Sequence, residues 1–312
     1  MYYTADCMKK TNAVYGGERE TTEIPYLVMI KNDYFHKFTV CGGALITPFW
    51  VLSHYPCLLT LTGPVSVYIK TTHHGKPTQV VKLKRTVIHP HYKDEHGTKS
   101  VALIELEEAA RLGPNDTLAQ ITDKDFKHYY GLNRCKFRGY GIHLNTNNTS
   151  KYGVLYSGTI GDSIRKGSEG CGCLADEIDS ELREEVLCFS GEENGRICSG
   201  DYGSPLVCFE ENDYVNETGP VMVGIAHNVI ACKSYNEIED FKAGKLLPCS
   251  SINATDIYTD LYPYRSWILA TITERKPRAS LPTAHRVSAS TYFSAPLKIK
   301  LLIFIIFLIY TC

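Results

Sequence analysis

The side chains best placed for chemistry are hydroxyls, imidazoles and one carboxylate gathered around glycine-containing turns. One group reads Cys198-Ser199-Gly200-Asp201-Tyr202-Gly203-Ser204-Pro205. A second sets His54 two residues before Pro56, and a third is Ser100, directly ahead of Val101-Ala102-Leu103. A serine hydroxyl attacks a carbonyl only when a base takes its proton and an acid orients that base. His54, Ser199 and Ser204 supply the residue types for such a hydrolysis, which works only where a fold brings base and hydroxyl to about 3 Å.

Groups like these need a rigid frame, and the chain offers a β frame. From Glu23 to about Tyr262, short apolar or alternating runs are punctuated by Gly, Pro, Asn and His. Examples are Ile24–Ile30, Ala44–Ile46, Val65–Ile69, Val80–Leu83, Val101–Leu106, Leu206–Cys208 and Val221–Ile225. Such runs are too short for helices and predict an all-β body. The first persuasive helical stretch is Tyr262–Ile272.

Thirty-three Lys and Arg against 34 Asp and Glu argue against an electrostatic nucleic-acid binder. Twelve cysteines without paired CxxC spacing favour a disulfide framework over a metal site, so neither metal nor cofactor is expected. Asn-x-Ser/Thr acceptors at Asn115, Asn147, Asn148, Asn216 and Asn253 fit a glycoprotein of the secretory pathway. The start, Met1–Asp6, has no apolar run like a signal peptide, and the cysteine content favours a start internal to a longer precursor.

Residues Thr273–Pro296 are rich in Ser, Ala, Thr, Pro and Arg, as a linker is, and an apolar run, Leu301–Tyr310, follows. Ten apolar residues make a helix of about 15 Å, half of a bilayer core. Ser288-Ala289-Ser290, a spacer and this tail match a removable lipid-anchor signal; a partly buried hydrophobic terminus explains the tail equally well.

Several blocks, in order, resemble the trypsin/chymotrypsin family. They are Val14-Tyr15-Gly16-Gly17; Cys41–Ile46 with Trp50–Ser53 and Cys57; Ile88–Tyr92 with Val101–Leu106; Gly139-Tyr140-Gly141; Cys198–Cys208; and Tyr258-Thr259 with Ser266-Trp267-Ile268. The resemblance implies two packed antiparallel six-stranded β-barrels with a cleft between them and a C-terminal helix. It divides the chain into a remnant (1–13), the protease-like domain (14–272), a flexible linker (273–300) and a hydrophobic tail (301–312). It also implies the disulfides Cys41–Cys57, Cys135–Cys208 and Cys198–Cys232, with Cys188 joined to Cys171 or Cys173.

Carried over residue by residue, the family's histidine position holds Pro56, its aspartate position Ser100 and its serine position Tyr202. Arg196 stands at the base of the former specificity pocket, with Asn228 and Asp256 on its walls. Arg196 and Asp256 are expected to pair and plug it, because a buried guanidinium requires a partner. The residue before Val14 is Ala13, not the basic residue of the family's activation bond. Asp201 persists there and is expected to bond backbone amides.

The resemblance thus implies a secreted or surface-tethered pseudoprotease that binds protein partners, with proteases or their substrates among the candidates. Thr159–Glu185 and Lys233–Ile252 are candidate binding loops. The alternatives are an unconventional hydrolase with displaced catalytic residues and a lipid-anchored adhesion scaffold.

Overall fold

The computed structural model describes residues 17–33, 40–94, 97–129, 135–144, 150–151, 153–160, 165–166, 182, 184–190, 195–209, 220–231, 249 and 254–273. Leu27–Asn32, Val40–Thr47, Trp50–His54, Val101–Leu106, Gln79–Ile88 and Val65–Ile69 close into a six-stranded antiparallel barrel, each paired with the next and the last with the first. Alternation decides which residues face inward. Val28, Ile30, Leu45, Val51, Val67, Ile69, Val81 and Ile104 fill one cluster with the Cys41–Cys57 disulfide. Closure leaves no strand edge open, which is how a barrel removes the pairing hazard of a free edge.

The second barrel is represented by a nine-stranded sheet. Its six long strands are ordered Tyr156–Ile160, Cys135–Gly139, Pro205–Cys208, Val221–Ala231, Ala254–Asp260 and Val186–Ser190. The two-residue strands Glu18–Arg19 and Arg165–Lys166 extend its two ends, and Gln120–Ile121 pairs in parallel with Val221-Met222. Its interior is built on Phe137, Leu187, Phe189, Leu206, Val223 and Tyr258. The C-terminal helix Arg265–Thr273 buries Ile268, which joins Trp50, Leu52, Leu103 and Ile225 in a cluster spanning strands of both barrels. The body is therefore all-β with one closing helix, as the sequence predicts.

Two expected disulfides are present, Cys41–Cys57 and Cys135–Cys208. The third expectation is corrected: Cys198 pairs with Cys249, not Cys232. Both residues are buried in the second-barrel core beside Ala254, with Cα atoms 5.4 Å apart, inside the span a disulfide can bridge. Cys188 is disulfide-bonded, but its expected partners Cys171 and Cys173 lie outside the described residues. So do Asn147, Asn148, Asn216, Asn253, most of both candidate binding loops, the tail and all of the linker after Thr273. Asn115 sits in an exposed turn. Among the described residues no helix is long and apolar enough to cross a membrane.

The barrels touch where Gly42 meets the loop before Pro205–Cys208. The Gly42 amide donates to the Tyr202 carbonyl (2.9 Å), and the Ser53 hydroxyl donates to the Gly42 carbonyl (2.7 Å). A Cβ on Gly42 would lie 2.6 Å from the Ser204 nitrogen and 2.7 Å from its Cα. Backbone cannot yield as a side-chain tip can, so Gly42→Ala must part the barrels locally. We expect it to destabilise the fold by about 2–4 kcal/mol, seen as a lower urea midpoint with an unchanged slope.

Candidate functional site

The three positions that could have carried nucleophilic chemistry lie along the junction of the barrels. Pro56 is in the first turn of the short helix Tyr55–Leu59, where a missing N–H is harmless. Tyr202 is half-buried and packs against the first-barrel cluster that contains Cys41 and Cys57. Its phenol thus occupies the space beside the helix. Ser100 is buried just before the strand Val101–Leu106.

Ser100 does not face Pro56 or Tyr202 in any hydrogen bond. Its Oγ lies 3.2 Å from His227 Nδ1 and 3.4 Å from Thr259 Oγ1, and His227 Nδ1 is 3.3 Å from that same threonine oxygen. His227 projects from the irregular point of its strand, where the register with Ala254–Asp260 shifts between Ala226 and Asn228. A β-bulge re-aims one side chain in this way. The His227 ring also meets His54 edge to face, with centroids 4.6 Å apart. His54 is buried, and among the described residues neither of its ring nitrogens has a hydrogen-bond partner. Burial and the neighbouring His227 hold it well below the ordinary histidine range. Burial likewise pushes His227 down to about 4, with Glu185 opposing. Both rings are neutral at pH 7, and cationic forms would lack solvation.

A clasp spans the junction above this pair. Glu185 accepts from the Lys99 amide (2.9 Å), from Lys99 Nζ and from the Tyr264 hydroxyl (2.5 Å). Burial raises the Glu185 carboxyl, but these donors outweigh it and hold the group below its usual range. Lys99 belongs to the chain entering the first barrel's Val101–Leu106; Glu185 immediately precedes the second barrel's Val186–Ser190. The ion pair therefore ties one barrel to the other.

Beneath the turn, Asp201 is fully buried and accepts from the amides of Gly141 (2.7 Å) and Cys198 (2.9 Å). Gly139 and Gly141 lack side chains because the Asp201 carboxyl fills that space. Burial still pushes Asp201 up to about 7, those two amides opposing. In the neighbouring pocket both Arg196 (6 % exposed) and Asp256 (2 %) are interior. Asp256 accepts from the Ile197 amide (3.2 Å) and is raised to about 8 by burial, with that amide and the attraction of Arg196 opposing. Asn228, the other expected pocket residue, is half-buried and accepts from the Val229 amide, turned onto its own backbone.

The displaced candidates are not assembled. Ser199 is exposed, whereas the buried Ser204 Oγ has no hydrogen-bond partner and makes none with His54. The sequence reading missed His227, Thr259, Lys99, Glu185 and Tyr264. The available signal was His227 itself, a polar ring continuing the apolar run Val221–Ile225. Its partner Ser100 is 127 residues away, and no local pattern reports such a pairing. Among the described residues no group of three metal-ligating side chains comes together.

A trypsin family model matches residues 13–268. Trypsin 5G1 of Aedes aegypti is 24 % identical over 205 residues, covering 65 % of this chain and 73 % of that protein. Serine protease 28 of Mus musculus is 24 % identical over 230 residues, covering 69 % and 81 %.

The four buried titratable groups pull stability in opposite directions. Both histidines are depressed, so their contribution is complete above about pH 6.5 and is lost as pH falls, for His227 toward about 4. The carboxyls are raised, so their contribution is complete below about pH 4 and is lost as pH rises through about 7 and 8. Unfolding free energy from urea titration should change by less than about 1 kcal/mol between pH 5 and 6.5, where the sets offset. It should then fall by about 2 kcal/mol by pH 8.5. In Asp256→Asn, which keeps an acceptor for Ile197, most of that fall should disappear.

Proposed function

Because the chain belongs to the trypsin family of serine proteases, we propose that it is a non-catalytic member, a secreted or surface-tethered module that binds protein. The observation that carries this reading is Tyr202, standing between Asp201 and Gly203 with its ring packed on the first-barrel core. A serine at that point is the nucleophile the family's chemistry uses. Pro56 and Ser100 remove base and acid as well. In a related triad enzyme, loss of the nucleophile or base alone lowers turnover about 10⁶-fold. The interior Arg196 and Asp256 support a pocket filled by its own side chains.

The disulfide-bonded, trypsin-like body suits an oxidising, extracellular setting. A rigid two-barrel frame displays loops for recognition whether or not chemistry survives. On this reading the partners are proteins, proteases or their substrates among them. The C-terminal tail, if removed for a lipid anchor, would hold the module at a surface.

The hydrolase reading has one observation in its favour, the 3.2 Å contact between Ser100 Oγ and His227 Nδ1. Against it, Ser100 is only 1 % exposed and His227 9 %, so a peptide carbonyl has no approach.

The two readings separate in one assay. The purified chain should neither hydrolyse unstructured protein substrates above the buffer rate nor take up a serine-reactive phosphonate. Uptake that disappears in Ser100→Ala or Ser204→Ala would establish the hydrolase instead.

A further inference from the structure

We propose that the junction of the two barrels is an acid-released clasp, in which residues 97–100 are pinned over the His54–His227 pair and come away when that pair takes up protons. The inference does not rest on the loss of catalysis, since its readout is local exposure rather than turnover.

The segment is held by contacts rather than by its own preference. Gly97 and Lys99 both adopt left-handed backbone, at φ 63° and 55°. Glycine accepts this readily; lysine does so only when its surroundings impose it. For Lys99 the imposing group is Glu185, which binds both its amide and its ammonium. One residue on, Ser100 is tied to His227 and Thr259. At the other end Gly97 lies against the ring, where a Cβ would sit 3.6 Å from His227 Nε2. The pinned segment is therefore the cover that keeps His227 dry.

One described carboxylate, Glu185, acts on the pair, and it is already engaged. The strand Trp50–His54 contributes His54 and the hydroxyl of Ser53, which is committed to Gly42. Segment 97–100 brings the Lys99 cation and the hydroxyls of Thr98 and Ser100. Ala254–Asp260 brings Thr259 to His227, and Asp256 and Asp201 titrate in the adjoining pocket, where acid neutralises them. Glu185 is the carboxylate that acts on His227, and it is already shared between Lys99 and Tyr264. Imidazolium at His227 would stand against His54, whose nitrogens have no acceptor, so the second proton is opposed by the first.

Opening relieves this by giving the rings water. A histidine that titrates near 6.5 when open and near 4 when closed shifts the opening equilibrium about twenty-fold between pH 7 and pH 5. Such a change turns a rarely visited opening of the inter-barrel cleft into a populated one.

Amide hydrogen exchange on the full chain, corrected for the chemical rate at each pH, tests this. Between pH 7 and 5 the protection of residues 97–100 should fall at least twenty-fold, while Val65–Ile69, on the far side of the first barrel, changes less than about three-fold. His54→Gln/His227→Gln should remove the pH response, and Glu185→Gln should expose the segment already at pH 7. Unchanged protection at 97–100 in acid, or an equal response in the double histidine variant, overturns the proposal. Should a variant not fold, ¹⁵N-imidazole spectra of the unaltered chain decide. His227 must gain its proton over the same pH range in which the segment opens, and neutral rings throughout opening would refute the clasp.

Discussion

Two barrels meeting along one face bury polar groups from both, and a buried polar group is costly unless it finds a partner. Here the decisive contact is the triangle of Ser100, His227 and Thr259, all within 3.4 Å of one another. Ser100 comes from the first barrel, His227 and Thr259 from the second. The rest of the junction is arranged around this triangle. Ser100 fixes the exit of the segment that carries Lys99, and Lys99 positions Glu185 and, through it, Tyr264 at the base of the C-terminal helix. Removing either partner of such a triangle leaves a buried polar group unpaired, which costs about 1–3 kcal/mol.

The same economy of support explains how the trypsin-family fold accommodates tyrosine at 202 and proline at 56. The turn 198–204 is held from below by the Asp201 carboxyl and its two amide donors, an arrangement that requires glycine at 139 and 141 but asks nothing of residue 202. Its side chain is therefore free to change from a small hydroxyl to a phenol that packs on the first-barrel core. Likewise the helix Tyr55–Leu59 tolerates proline at 56, because the first turn has no internal acceptor for that N–H. The support of this turn is thus separable from the identity of the side chain at 202.

Much of this was legible along the chain. Short apolar or alternating runs mark strands such as Val65–Ile69 and Val101–Leu106, and both appear where the pattern puts them. Two cysteine pairs, Cys41–Cys57 and Cys135–Cys208, were implied by the family resemblance. So was Asp201, expected to bond backbone amides and found accepting from those of Gly141 and Cys198. Cys198–Cys249 was not, since pairing depends on where a long excursion returns to the core rather than on which cysteine comes first. The polar junction was hidden for the same reason: Lys99 and Glu185 are 86 residues apart and each reads alone as a solvated charge.

Tyrosine at 202 and histidine at 227 also change what the junction can sense. A working site needs an imidazole that gains and loses a proton near neutral pH, so its surroundings include a carboxylate and water. Here the imidazoles sit where two carboxyls next door are themselves raised by burial, and the clasp excludes solvent. On the proposed clasp, proton uptake by these rings is met by movement of the segment that covers them. That proposal and the proposed loss of catalysis then lead back to one feature, interior side chains of the protein itself along the junction of its barrels.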